Sequence, residues 1–130
     1  MERVQTNGVQ KPVVLVVEDE PLILIDVLDV LEQAGFQALG AHSADEAITI
    51  LEGRNDIRVV MTDIDIPGSM DGLKLAQAVR HRWPPIELIV ASGKYQFSDE
   101  ELPIRGRFVP KPYDVSRLTH TFRELTGLSG

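Results

Sequence analysis

Two kinds of hydrophobic pattern take turns along this chain. Val13 to Val17 is an unbroken apolar run ended by three acids, the pattern of a strand buried on both faces of a parallel sheet. From Pro21 to Ala34 the period changes. Leu24, Leu28 and Leu31 share one helical stripe, Pro21 suits a first turn, and Gly35 is a stop. The same cycle returns with Phe36 to Ala41 as a strand candidate. Ser43-Ala-Asp-Glu46 then reads as a capping box ahead of Ala44, Ala47, Ile48 and Leu51 at helical spacing, ended by Gly53. Ile57 to Thr62 predicts a third buried strand, followed by a loop from Asp63 to Met70. A helix near Asp71 to Arg82 turns Leu75, Ala78 and Val79 inward, and Trp83-Pro84-Pro85 stops it.

Ile86 to Ala91 predicts a fourth strand and Arg107 to Val109 a short fifth. Asp114 then caps a last helix with the stripe Val115, Leu118, Phe122 and Leu125. Between the last two strands the pattern fails. Tyr95 to Arg105 carries only a brief helical signal, Ser98 to Leu102, before Pro103 breaks it. Strands alternating with helices predict an α/β fold: a doubly wound, five-stranded parallel sheet flanked by helices, flavodoxin-like, with a short or irregular fourth helix.

Length and charge narrow the picture. A chain of 130 residues with 43% hydrophobic content holds one core and has no room for a second. Residues 1–11 are polar and aperiodic, so a flexible leader is expected before a single domain over 12–128. Nothing after Gly127 reads as a linker, and no output domain is expected. The absence of cysteine excludes disulfides and thiolate metal sites. A net charge of -7 argues against partnership with nucleic acid or anionic membranes. No apolar run approaches the roughly 20 residues of a membrane span, and the expected setting is the cytoplasm.

Function in a doubly wound sheet belongs at the carboxyl ends of the strands. Of twenty acidic residues, those just after strands one and three are Glu18, Asp19 and Asp63. Any one of them alone is as readily a solvated loop acid or a helix cap. Together they make a hard oxygen site suited to magnesium, and without a cation they repel one another. Asp65 alternates with Asp63, so its side chain is expected to point elsewhere, while a backbone carbonyl of this loop is available to a metal. Glu20 reads as a helix-start charge.

Two more residues end strands at the same rim. Ser92 offers a hydroxyl in front of Gly93, where a ligand can approach the backbone. Lys111 sits in Val109-Pro110-Lys111-Pro112, held by prolines on either side. A turn serine and a surface lysine are the ordinary readings of each. Neither explains why all five residues fall on one rim. A carboxylate nucleophile, a divalent cation, a hydroxyl and a fixed lysine are what positioned phosphoryl transfer requires.

From Pro12 to Gly127 the chain resembles the receiver domain of bacterial two-component response regulators. The resemblance rests on Val16-Val17-Glu18-Asp19-Glu20-Pro21, Thr62-Asp63-Ile64-Asp65-Ile66-Pro67-Gly68, Ser92-Gly93 and Lys111-Pro112-Tyr113. It implies that Asp63 accepts a phosphoryl group, with Mg2+ held by Glu18, Asp19, Asp63 and the backbone carbonyl of Asp65. Ser92 is then the switch hydroxyl, Lys111 the phosphate partner and Phe108, three residues earlier, the switch aromatic. The implied donor is a histidine kinase or histidine phosphotransfer protein. The downstream protein target stays unnamed, and the state is a monomer or a phosphorylation-dependent dimer.

The chain departs from the family pattern in three places. Ser69 lengthens the loop Pro67-Gly68-Ser69-Met70-Asp71-Gly72 by one residue. Ala91 competes with Ser92 for the switch position. The fourth helix is poor. Two rival readings stand beside the receiver: a haloacid-dehalogenase-like phosphatase using Asp63 and Asp65, and a pseudo-receiver that binds partners without phosphate. One further expectation is that Asp65 and Lys94 pair across the site and gate attacking water. His42, His81 and His120 read as surface residues, and Trp83 as helix-end packing.

Overall fold

All five residues of Val13–Val17 are buried, and they form strand β1. The computed structural model describes residues 10–66 and 70–128. After β1 come α1 (Pro21–Gln33), β2 (Gln37–Ala41), α2 (Ala44–Glu52), β3 (Ile57–Asp63) and α3 (Gly72–Arg82). They are followed by β4 (Glu87–Ser92), β5 (Arg107–Pro110) and α4 (Val115–Thr126). The five strands pair in parallel in the order β2-β1-β3-β4-β5. The chain therefore leaves β1 in one direction and returns to its other side, which puts the topological switch point between β1 and β3.

Alternation along the buried strands divides the core. Val13, Leu15, Val17, Val60 and Val90 face α2 and α3, packing on Ala47, Leu51, Leu75 and Val79. Val14, Val16, Met61, Ile89 and Val109 face α1 and α4, packing on Leu24, Leu31, Leu118 and Phe122. A strand covered on both faces has no solvent side for polar residues, which is why β1 and the Leu88 to Ala91 stretch of β4 read as continuous apolar runs.

The helix starts follow their caps. Ser43 accepts from the Glu46 N–H at 3.1 Å, Asp71 from Lys74 at 2.8 Å, and Asp114 from Arg117 at 3.2 Å. The box at Ser43 differs in one bond: the Glu46 carboxylate takes the N–H of His42, at 2.6 Å, outside the cap itself. Gly35 closes α1 at φ +103° and Gly127 closes α4 at φ +74°, values that a side-chain-bearing residue rarely adopts.

Several strand ends differ by one residue from expectation, most tellingly the start of β2. Phe36 lies outside β2 and is fully buried, its ring 5.7 Å from that of Phe122. Its bulk serves the α1/α4 core, and the edge strand begins one residue later. The fourth crossover is irregular, as its pattern predicts, with a single 3-10 turn at Asp99–Glu101. Most of the expected leader, and Ser69 in its lengthened loop, fall outside the described residues.

Candidate functional site

The acids that end β1 and β3 straddle the switch point. Glu18 directly follows β1 and is buried, Asp19 is half-buried, and Asp63 is the buried last residue of β3. One carboxylate oxygen from each lies within 4.8 Å of the other two. Three hard anionic donors this close fit a divalent cation that keeps waters in its remaining positions. Burial raises the pKa of Glu18 most, against the lowering effects of Lys111 and the Glu20 N–H.

Lys111 enters from the end of β5. Its Nζ donates to Asp63 Oδ2 at 2.9 Å and to Glu18 Oε1 at 3.0 Å. Burial works against its charge, but Asp63 and Glu18 outweigh burial and raise its pKa. Its backbone is fixed as well: the Lys111 N–H donates to the Ser92 carbonyl at 3.0 Å, and the Lys111-Pro112 peptide is cis. The second oxygens of both acids are bonded too. Asp63 Oδ1 accepts from the Asp65 N–H at 3.0 Å, and Glu18 Oε2 from the Glu20 N–H at 3.2 Å.

Ser92 completes the rim at the end of β4. Its Oγ accepts the N–H groups of Lys94 and Tyr95 at 3.1 and 3.0 Å and donates to Asp65 Oδ2 at 3.3 Å. Ala91, by contrast, is fully buried in the α1/α4 core. The expected Asp65–Lys94 pair does not form: no ion pair joins them among the described residues, and Asp65 turns to Ser92. That expectation was placed from strand ends, but β3 stops at Asp63 and residues 64–65 form a turn.

Phe108 is buried on the α2/α3 side of the sheet. Its ring meets the edge of Phe97 at 5.7 Å and 78°, and its N–H donates to Asp99 Oδ1 at 2.8 Å. The irregular crossover is thus tied to β5 through an aromatic contact, a cap-like bond and a 4.0 Å ion pair of Asp99 with Arg107.

Two residues that shape the site stand in the quoted motifs without a role of their own. Gly72 starts α3 so close to β3 that an added Cβ would overlap the Asp63 carbonyl and stand 2.9 Å from the Ile64 Cα. Its signal is the Asp71-Gly72 pair after the loop. Tyr113 has its ring centroid 5.9 Å from Lys111 Nζ. Burial first, then the charges of Glu18 and Asp63, pushes its phenol above the usual range. Its signal is an aromatic residue two positions after the rim lysine.

The fold and rim define a flavodoxin-like α/β module with an acidic site at its switch point. The chain belongs to the response regulator receiver domain family, whose family model matches residues 14–123, and that family is a module of two-component signalling. The nitrogen assimilation regulatory protein NtrX of Azorhizobium caulinodans is 32% identical over 109 residues, covering 81% of this chain and 24% of NtrX. The transcriptional regulatory protein PdtaR of Mycobacterium tuberculosis is 31% identical over 132 residues, covering 90% of this chain and 61% of PdtaR. The chain thus spans only part of the curated relatives it matches. Among solved structures, the response regulator TrrA of Thermotoga maritima, in complex with Mg2+-BeF, superimposes with a TM-score of 0.79 at 24% identity, covering 89% of this chain and 99% of TrrA.

Membership in a signalling family displaces the phosphatase reading of Asp63 and Asp65. No helix among the described residues is long and apolar enough to cross a membrane.

Proposed function

We propose that this chain is a phosphorylation-operated receiver in which Asp63 takes a phosphoryl group from the phosphohistidine of a histidine kinase or histidine phosphotransfer protein. The observation that carries the reading is the pair of hydrogen bonds that Lys111 Nζ donates to Asp63 and Glu18. It sets a fixed cation against the carboxylate that would receive the group.

In the transfer, an Asp63 carboxylate oxygen forms the new bond to phosphorus while the phosphorus–nitrogen bond of the donor breaks and its imidazole keeps the electron pair. Glu18, Asp19, Asp63 and the Asp65 carbonyl would hold Mg2+, which neutralises charge on the phosphoryl oxygens. Lys111 meets one of those oxygens. Ser92 supplies a hydroxyl proton to another, a role supported by the rim position of its Oγ and the burial of Ala91. Phosphorylation adds about -1.5 to -2 charges where an acid cluster already stands, so the cation and Lys111 are both required. Phe108, coupled to Phe97, would carry the change to the protein's partner surface.

Intact-mass measurement after treatment with a small phosphodonor and Mg2+ tests this. One phosphoryl group is expected on the wild type and none on Asp63→Asn. No uptake by the wild type, or equal uptake by the variant, would overturn the assignment.

A further inference from the structure

The hydroxyl of Ser92 has one proton, and in this structure Asp65 holds it. Both lone-pair directions of Oγ are also engaged, by the Lys94 and Tyr95 N–H groups, so no alternative bonding capacity remains at this atom. Asp65 is in turn set in place by its own N–H, which bonds Asp63 Oδ1. We propose that Asp65 is a positioning residue that latches Ser92 in the resting protein, and that a phosphoryl group on Asp63 must win the hydroxyl proton from it.

This inference rests on the proposed role of Asp63 and adds to it a competitor within the same loop. The competition is weighted toward release. At 3.3 Å the bond is longer than the usual 2.7–2.8 Å for an O–H donor, and Asp65 is exposed, so water can take over its carboxylate. Exchange replaces one charge-assisted bond with a shorter one and leaves the Lys94 and Tyr95 bonds intact. The latch taxes the phosphorylated state by the fraction of molecules in which the hydroxyl is engaged elsewhere.

Beryllofluoride with Mg2+, a non-covalent phosphoryl mimic, measures that tax by titration calorimetry in a double-mutant cycle of Asp65→Ala and Ser92→Ala. Removing Asp65 also removes a negative charge near an anion, which tightens binding whether or not Ser92 is present. The latch predicts an additional gain of about threefold only when Ser92 is present, the size of a weak solvent-exposed hydrogen bond. Asp65→Asn, which loses the charge but keeps an acceptor oxygen, should recover most of that Ser92-dependent part. Equal gains from Asp65→Ala in both backgrounds would overturn the latch alone. Absence of beryllofluoride binding by the wild type would overturn the reading of Asp63 and the latch with it.

Discussion

The acidic rim and the fourth crossover meet at the end of β4 and are built in opposite ways. Glu18 and Asp63 are buried, and both oxygens of each carboxylate are bonded. The crossover from Gly93 to Gly106 is mostly exposed, and its only regular element is one 3-10 turn. It rests on the sheet through Leu102, Phe97 against Phe108, and Asp99 on the Phe108 N–H. The rim needs fixed geometry because its proposed chemistry depends on position. The crossover is held by few contacts and can change arrangement at small cost. Ser92 belongs to both, ending β4 while binding the first N–H groups of the crossover.

Substitutions can break or sharpen that contrast. The largest stability effect is expected from Gly72→Ala, whose methyl meets the β3 backbone with no flexible side chain to yield. A loss of about 3 kcal/mol is expected, read as a lower urea midpoint with an unchanged slope. A loss smaller than that of a crossover variant would break the comparison. Next is the cation. At a hundred times its dissociation constant, Mg2+ should add about 2.7 kcal/mol of stability, measured by thermal unfolding. Asp19→Asn should remove most of that gain, and chelation should reverse it in the wild type.

The smallest effect is expected in the crossover. Phe97 is half-buried, so Phe97→Ala should cost about 1.5 kcal/mol, well under the 3–5 kcal/mol of a fully buried phenylalanine. Hydrogen exchange should quicken across residues 95–106, while phosphoryl uptake at Asp63 stays unchanged. Slowed uptake in this variant would show the two regions to be one unit.

What the sequence revealed follows the same division. Glu18, Asp19, Asp63, Ser92 and Lys111 were legible as one rim because each ends or directly follows an apolar run that only a buried strand explains. The doubly wound parallel α/β class followed from alternation of strand and helix. The Asp65–Lys94 pair was misjudged because it was placed from strand ends, whereas residues 64–65 form a turn in which local hydrogen bonds set side-chain direction, here toward Ser92. Phe97 and Asp99 left no trace, since the crossover has no period to place them against Phe108. Gly72 is a spacing requirement imposed by two elements meeting, and neither element alone encodes it.

The close approach of Gly72 to the end of β3 also bears on how this protein tolerates change. The Gly72 N–H donates to the Ile64 carbonyl at 3.1 Å, so the chain between them is a closed ring fastened at its base. Lengthening such a ring is cheap, since doubling a loop costs only about 0.6 kcal/mol in closure entropy. In the sequence the added residue Ser69 stands between these two fastened residues. A residue added between Ile64 and Gly72 is therefore expected to leave the fastened ends, and Asp63 beside them, in place.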